Sequence, residues 1–207
     1  MRYIQKVQPP QFFIEDTLNL ESWSSYFSHK KHKLKEHLLE HEQNYLCCYC
    51  ESKISSDTNS SHVEHIRPKG HDKYPHLTFE YHNLAVSCNG TCQNLPNDST
   101  IHNCGHIKSN EYDENLFLNP VELEDIRDYF EYDIDEGKIE ASAKNEQKAS
   151  YMIDTLRLND GGLTKAREKA LENFIEKMKK IEANLRREEI KKILKEEKLE
   201  QISFFEI

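Results

Sequence analysis

No run of eighteen apolar residues occurs in this 207-residue chain, so no segment reads as a membrane-spanning helix. The opening MRYIQKVQPPQFF lacks the apolar centre of a secretory signal, which sets a cytoplasmic expectation. No internal repeat is apparent. Net positive charge is also missing. The formal charge is −9, an unfavourable balance for a protein that meets nucleic acid unaided. Cysteine is absent outside one stretch, because all six lie between Cys47 and Cys104. That confinement points to one local site. In a reducing compartment, paired cysteines are metal ligands or catalytic groups before they are disulfides.

What is present suits a folded chain. Ten Tyr and nine Phe argue against a solvating tail. The length accommodates one compact domain, or a small domain with helical arms. Charge is uneven along the chain. From Glu111 to Glu136 there are eleven acidic residues and a single Arg, whereas Leu163 to Glu200 holds twelve Lys/Arg against nine Glu. Lys30, Lys31, Lys33 and Lys35 form a second basic run. A solvated helix face is the plain reading of such runs, and phosphate contact is the sharper one.

Pattern divides the chain into an N-terminal helical segment (1–44), a core (45–120) and a C-terminal part (121–207) suited to a partner interface. Residues 1–20 read as irregular around Pro9-Pro10. Leu20 to about Asn44 reads as a helix through Trp23, Tyr26, Phe27, Leu34, Leu38 and Leu39. Residues 129–142 alternate on both sides of Glu136-Gly137, which predicts a β-hairpin. A short helix is expected over 146–158. One long helix is expected over 163–200, carried by Phe174, Met178, Ile181 and Leu185. The fold class is therefore α+β, mainly α. Residues 45–110 lack periodicity and are rich in Cys, His, Asn, Ser and Gly. Such a segment needs a metal or a scaffold to hold its shape.

The cysteine spacing supplies one. Cys47 and Cys50 form a Cys-x-x-Cys pair whose tight turn aims both thiolates at one tetrahedral ion, while Cys48 points away. Cys88, Cys92 and Cys104 offer the remaining positions, so five candidates compete for four places. A closed four-thiolate zinc would carry no water and would serve structure alone.

Between the cysteine groups runs His62-Val63-Glu64-His65-Ile66-Arg67-Pro68-Lys69. In a strand, Glu64 and His65 point to opposite sides unless the chain bends there. A neutral His65 can take a proton from water. Glu64 can hold a divalent cation that stabilises charge on a leaving oxygen. Arg67 and Lys69 are placed to meet phosphate oxygens. Asn83 can both donate and accept, and so can fix an imidazole or a loop. His106 would be positioned by the zinc through Cys104. His62, His71, His76 and His82 read as structural or loop histidines.

Cys47-x-x-Cys50, Val63-Glu64-His65-Ile66-x-Pro68, Asn83-Leu84-x-x-x-Cys88 and Cys104-Gly-His106-x-Lys108 together resemble an HNH endonuclease with a zinc-supported ββα-metal core. More narrowly, the pattern resembles the PtuB-type nucleases of Septu and related retron anti-phage systems. The EHIRPK run, Ser87-Cys88-Asn89-Gly90 and Thr155-x-Arg157-Leu158-Asn159 carry that likeness. The resemblance implies His65 as general base, Asn83 as the orienting Asn, and Glu64 and His106 as ligands of a catalytic Mg²⁺ or Mn²⁺. It implies Cys47, Cys50, Cys88 and Cys104 as the zinc set, with Cys92 the alternative fourth ligand. Lys108 joins Arg67 and Lys69 as a phosphate contact. It further implies DNA as substrate and a PtuA-type ATPase as partner. Gly105 is a departure, because family members with four cysteines usually place the third signature residue directly after the last Cys.

Two other classes compete: a zinc-stabilised adaptor without catalysis, and a thiol–disulfide enzyme using Cys47 and Cys50. The latter lacks the βαβ setting such dithiols use. Stripping zinc with a strong chelator is expected to unfold residues 45–110, read as lost circular dichroism. An unchanged spectrum with the metal proved absent would remove the zinc reading.

Overall fold

The computed structural model describes residues 1–90, 103–181, 185, 187, 188 and 190. After Pro10 comes a short helix, α1 (Gln11–Thr17), in the stretch expected to be irregular. It earns its place by burying Phe13 against the rings of Tyr26 and Tyr81. The next helix, α2 (Ser28–Leu38), starts eight residues later than the apolar spacing predicts. Trp23–Ser25 form only a 3-10 turn, and Ser22 Oγ bonds the hydroxyls of Ser24 and Ser25 at 2.9 Å. The backbone is extended at Ser22 (φ −141°, ψ 149°) and again at Phe27 (φ −63°, ψ 146°), so the helix begins only at Ser28.

Helix α2 buries Leu34 and Leu38 and runs into a π-turn, Leu39–Gln43. Asn44 and Tyr45 are both left-handed (φ 49° and 61°), which stops the helix and turns the chain toward the first cysteines. Two strands follow, β1 (Ser61–His65) and β2 (Leu84–Cys88), paired antiparallel from Ser61↔Cys88 to His65↔Leu84. Strand β2 is buried at every position, and α2 and the short helix α3 (Cys104–Lys108) both pack on it. The Lys35 ammonium, on α2, is buried and donates to Ser61 O at 2.8 Å, which ties the helix to the start of β1.

The second hairpin is as the alternation predicts: β3 (Phe130–Asp133) and β4 (Lys138–Ala141). Its turn uses Gly137 at φ +60°, where an added Cβ would come 2.5 Å from Thr164 O. Helix α4 (Glu146–Thr155) starts under the Asn145 side chain, and α5 (Gly161–Lys179) under Asp160. The helix expected to run unbroken to residue 200 stops at Lys179, and helical backbone is seen again at Arg187, Glu188 and Ile190. Lys180 and Ile181 make tight bonds to Lys177 O and Met178 O instead. Most of the chain beyond falls outside the described residues. One continuous apolar core draws on Phe13, Leu34, Leu84, Val86, Met152, Leu156 and Leu163, so all three segments contribute to it.

Gln43 joins α2's end to the central strand. Its Nε2 donates to Leu46 O and Val86 O at 2.8 Å, and its Oε1 accepts from Val86 N at 2.7 Å. All of this is buried. Each buried backbone group left unpaired costs about 1–3 kcal/mol. Gln43→Leu is therefore expected to lower unfolding stability by roughly 2–4 kcal/mol in urea titration. A change under about 0.5 kcal/mol, the size of an ordinary surface substitution, would show the clamp to be unimportant.

Candidate metal centre and adjoining pocket

The first cysteine pair lies in a compact reversal. Leu46 bridges Lys53, Cys47 N donates to Ser52 O, and Glu51 is left-handed at φ 59°. This is the tight turn that the spacing calls for. Cys88 ends β2 and Cys104 begins α3. The four sulfurs of Cys47, Cys50, Cys88 and Cys104 all lie within 4.8 Å of one another, and all four residues are buried. A zinc ion about 2.3 Å from four thiolates sets them roughly 3.8 Å apart. Cys50 Sγ and Cys88 Sγ are 3.8 Å apart. Cys48 is buried but outside the group. Cys92, the alternative fourth ligand, lies outside the described residues.

The surroundings suit a thiolate cluster. Cys88 N–H donates to Cys47 Sγ at 3.2 Å. Burial pushes the Cys104 thiol up, and Cys47 beside it pushes it further. Burial also opposes ionisation of Cys47, yet hydrogen bonds from Cys104, Cys48, Cys50 and Cys88 hold its thiol well below the usual range. One site thus gathers four sulfurs of which Cys47 ionises most readily while Cys88 and Cys104 resist, and a bound cation would let all of them serve as thiolates. Cys104 is itself left-handed (φ 56°), held by its N–H on Leu156 O at 2.9 Å.

Both cysteine segments also deliver a side chain to Glu64. Tyr49, inside the first turn, donates its hydroxyl to Glu64 Oε1 at 3.0 Å. Lys108, at the end of α3, donates to the same oxygen at 2.8 Å and to His65 O at 3.3 Å. Burial would raise the Glu64 carboxyl, but the Lys108 ammonium and then His62 overcome it and hold it at about 2. Gly105 makes the approach possible. A Cβ there would sit 2.7 Å from both Glu64 Oε2 and His62 Nε2. The departure from the four-cysteine pattern is thus steric: any side chain at this position would strike the Glu64–His62 pair.

His62, expected to be structural or exposed, belongs to the site. Its Nε2 lies 3.4 Å from Glu64 Oε2, and its ring meets the His106 ring at 4.4 Å. Asn89 links the two: Oδ1 accepts from His62 Nδ1 at 3.0 Å and from His106 Nε2 at 3.3 Å. Its Nδ2 donates to Thr58 O at 2.7 Å, which fixes which end is the acceptor. From the sequence, His62 has a structural place and Asn89 only a place in the family run, with no role at the site for either. The available signal was the strand period, since residues two apart in β1 share a face.

His65 points the other way, as alternation requires. Its ring lies against Trp23 at 4.5 Å, edge to face, and Nε2 bonds Thr78 O at 3.0 Å. A carbonyl only accepts, so Nε2 carries the hydrogen and Nδ1 keeps its lone pair. Burial, then the nearby Lys69 ammonium, lowers the imidazole to about 4, so it is neutral at pH 7. Asn83 clamps the segment after it: Oδ1 accepts from Arg67 N at 2.8 Å, and Nδ2 donates to Arg67 O at 2.9 Å. Despite their opposite directions, Glu64 and His65 line one cavity of about 270 Å³, with His62, Pro68, Lys69, Gly105 and His106.

Two of the three cations expected on phosphate are otherwise engaged. Lys108 is fully buried with its ammonium on Glu64. Arg67 forms a two-bond pair with Glu122, at 2.5 and 3.0 Å, beside the Tyr112 ring. Each has found a carboxylate, which the acidic composition makes abundant. Lys69 alone of the three lines the cavity.

No family model matches the chain. It is 31% identical over 173 residues to a Vibrio cholerae (serotype O1 biovar El Tor) protein named as the inferred HNH endonuclease of retron Vc95. The match covers 81% of this chain and 78% of that protein. At that identity and coverage, this chain belongs to the HNH endonuclease family.

Proposed function

We propose that this protein is a metal-dependent HNH endonuclease that hydrolyses DNA phosphodiester bonds. The observation that carries the reading is the pairing of opposites in one cavity. A neutral, oriented imidazole (His65) and a buried charged carboxylate (Glu64) face the same space. The order β1, β2, α3, with cysteines at the outer ends of β2 and α3, supports a ββα-metal core. In this reading Cys47, Cys50, Cys88 and Cys104 hold a structural zinc.

The second cation is Mg²⁺ or Mn²⁺. Its fit rests on the donor set: a carboxylate kept ionised and two imidazoles turned to the same opening, all suited to a hard divalent ion. Glu64 and His106 are the residues that would hold it. When bound, it supplies charge stabilisation for the leaving oxygen. The chain's own residues do the rest. Thr78 O fixes the His65 tautomer, so Nδ1 is free to take a proton from water. Asn83 fixes the backbone that follows His65. Trp23 covers one edge of the imidazole and limits its rotation.

The relative is named for a retron, and the same assignment for this chain would make it the effector of an anti-phage complex. A PtuB-type role with a PtuA-type ATPase, in the cytoplasm, accords with the acidic surface: an enzyme of charge −9 gains from a partner that brings DNA to it. A non-catalytic adaptor is the alternative, favoured by one contact. The Lys108 ammonium already occupies Glu64 Oε1, where it competes with a second cation.

Plasmid nicking with Mg²⁺ or Mn²⁺, with and without the ATPase, separates the two. His65→Ala is expected to lower cleavage by about 10²–10⁴-fold, the usual worth of a general base, with the folded spectrum intact. Equal nicking by wild type and His65→Ala in every condition would leave only the adaptor. Glu64→Ala is a poorer probe. It strands the buried Lys108 charge, which costs about 3–5 kcal/mol and confounds activity with folding.

A further inference from the structure

The basic run of α2 separates in three dimensions. Lys30 pairs with Asp16 at 2.5 Å. Lys35 is spent on backbone carbonyls. Lys33 lies over the Phe12 ring at 4.1 Å. Lys31 alone of the four packs on Trp23. Its ammonium stands 5.3 Å from the centroid of Trp23, the ring that touches His65. On the cavity side, Lys69 lines the opening beside His65. Burial first, and then the Lys69 ammonium, lowers the Lys31 pKa. Among the described residues, neither has a carboxylate within ion-pairing distance. Lys6, Lys30, Arg67, Lys108 and Lys144 all do. Two cations without an ion pair, one lining the cavity beside His65 and one on the ring that packs His65, leave a place for an anion there.

We infer that Lys31 and Lys69, with Trp23 between Lys31 and His65, form a phosphate clamp for DNA. It would hold a backbone phosphate neighbouring the one in the cavity, so that the strand runs from the cavity toward the start of α2. The inference rests on the nuclease reading for its substrate. The ring of Trp23 serves both sides: it holds the Lys31 ammonium by cation–π attraction, and it packs the His65 imidazole. Exposed Phe27 lies one turn before Lys31, stacked on His29 at 6.0 Å, and extends the same surface with an aromatic face. Charge decides the occupant, because paired ammoniums with an aromatic wedge suit a phosphodiester backbone and not an acidic helix needing many contacts.

The test is duplex DNA binding across a salt series from low ionic strength, by fluorescence anisotropy, without added divalent cation so that nothing is cleaved. Each lost phosphate contact flattens the slope of log K against log salt by about 0.9. Lys31→Ala is expected to flatten it by about that amount, while Lys31→Arg keeps it and Lys33→Ala leaves it unchanged. Equal slopes for Lys31→Ala and Lys33→Ala would overturn the clamp, as would no binding by the wild type at low salt. The two readings fail separately. Divalent-dependent cleavage with an unchanged Lys31→Ala slope removes the clamp and leaves the nuclease. A Lys31-dependent slope in a protein that never cleaves does the reverse.

Discussion

Everything near the cavity depends on the convergence of four cysteine sulfurs from three distant parts of the chain. Cys47 and Cys50 come from a turn, Cys88 from the end of β2, and Cys104 from the start of α3. The elements involved are short: β1 and β2 have five residues each, and α3 has five. A two-strand hairpin with a single helical turn is marginal by itself. An ion bound by all four sulfurs would close the loops between them and substitute for core that such elements cannot supply. Much of the energy that sets the site's shape would then lie at one end of it, in the cysteines.

The transmission from that point is direct. Tyr49 belongs to the first cysteine turn and Lys108 to the helix that Cys104 begins, and both end on one oxygen of Glu64. Gly105 lets α3 lie close enough for Lys108 to arrive. Glu64 is consequently fixed from both sides of the thiolate cluster. A buried carboxylate would otherwise protonate, and it is the ammonium at 2.8 Å that keeps it charged. The same pairing orients His62, whose other nitrogen and whose neighbour His106 share Asn89. Structural and reactive chemistry thus meet through hydrogen bonds a few ångströms long.

Legibility followed the physics of each signal. The Cys47–Cys50 spacing carries its own geometry, because only a tight turn aims both thiols at one point. The hairpin around Gly137 was equally plain, since its strands alternate and its turn requires positive φ. Other features depend on contacts that no local pattern encodes. Apolar spacing from Trp23 suggests helix, yet the backbone is extended at Ser22 and Phe27, and Trp23 packs on His65. His62 reads as one histidine among eleven, although the strand period places it on the face of Glu64. Cations were the hardest to read. Arg67, Lys69 and Lys108 look alike in sequence, and only packing shows that two of them already have carboxylates.

That last point reframes the acidic composition. A charge of −9 reads as hostile to nucleic acid when averaged over the chain. In the folded protein the acids act locally, by neutralising cations that would otherwise scatter the attraction. Asp16 takes Lys30, Glu42 takes Lys6, Glu122 takes Arg67 and Glu64 takes Lys108. What remains beside His65 is a pair of ammoniums and an aromatic ring. At physiological salt, screening extends only about 8 Å, so a phosphate at the cavity senses these near charges more than the distant total. Local pairing, and not net charge, therefore decides where a polyanion is admitted.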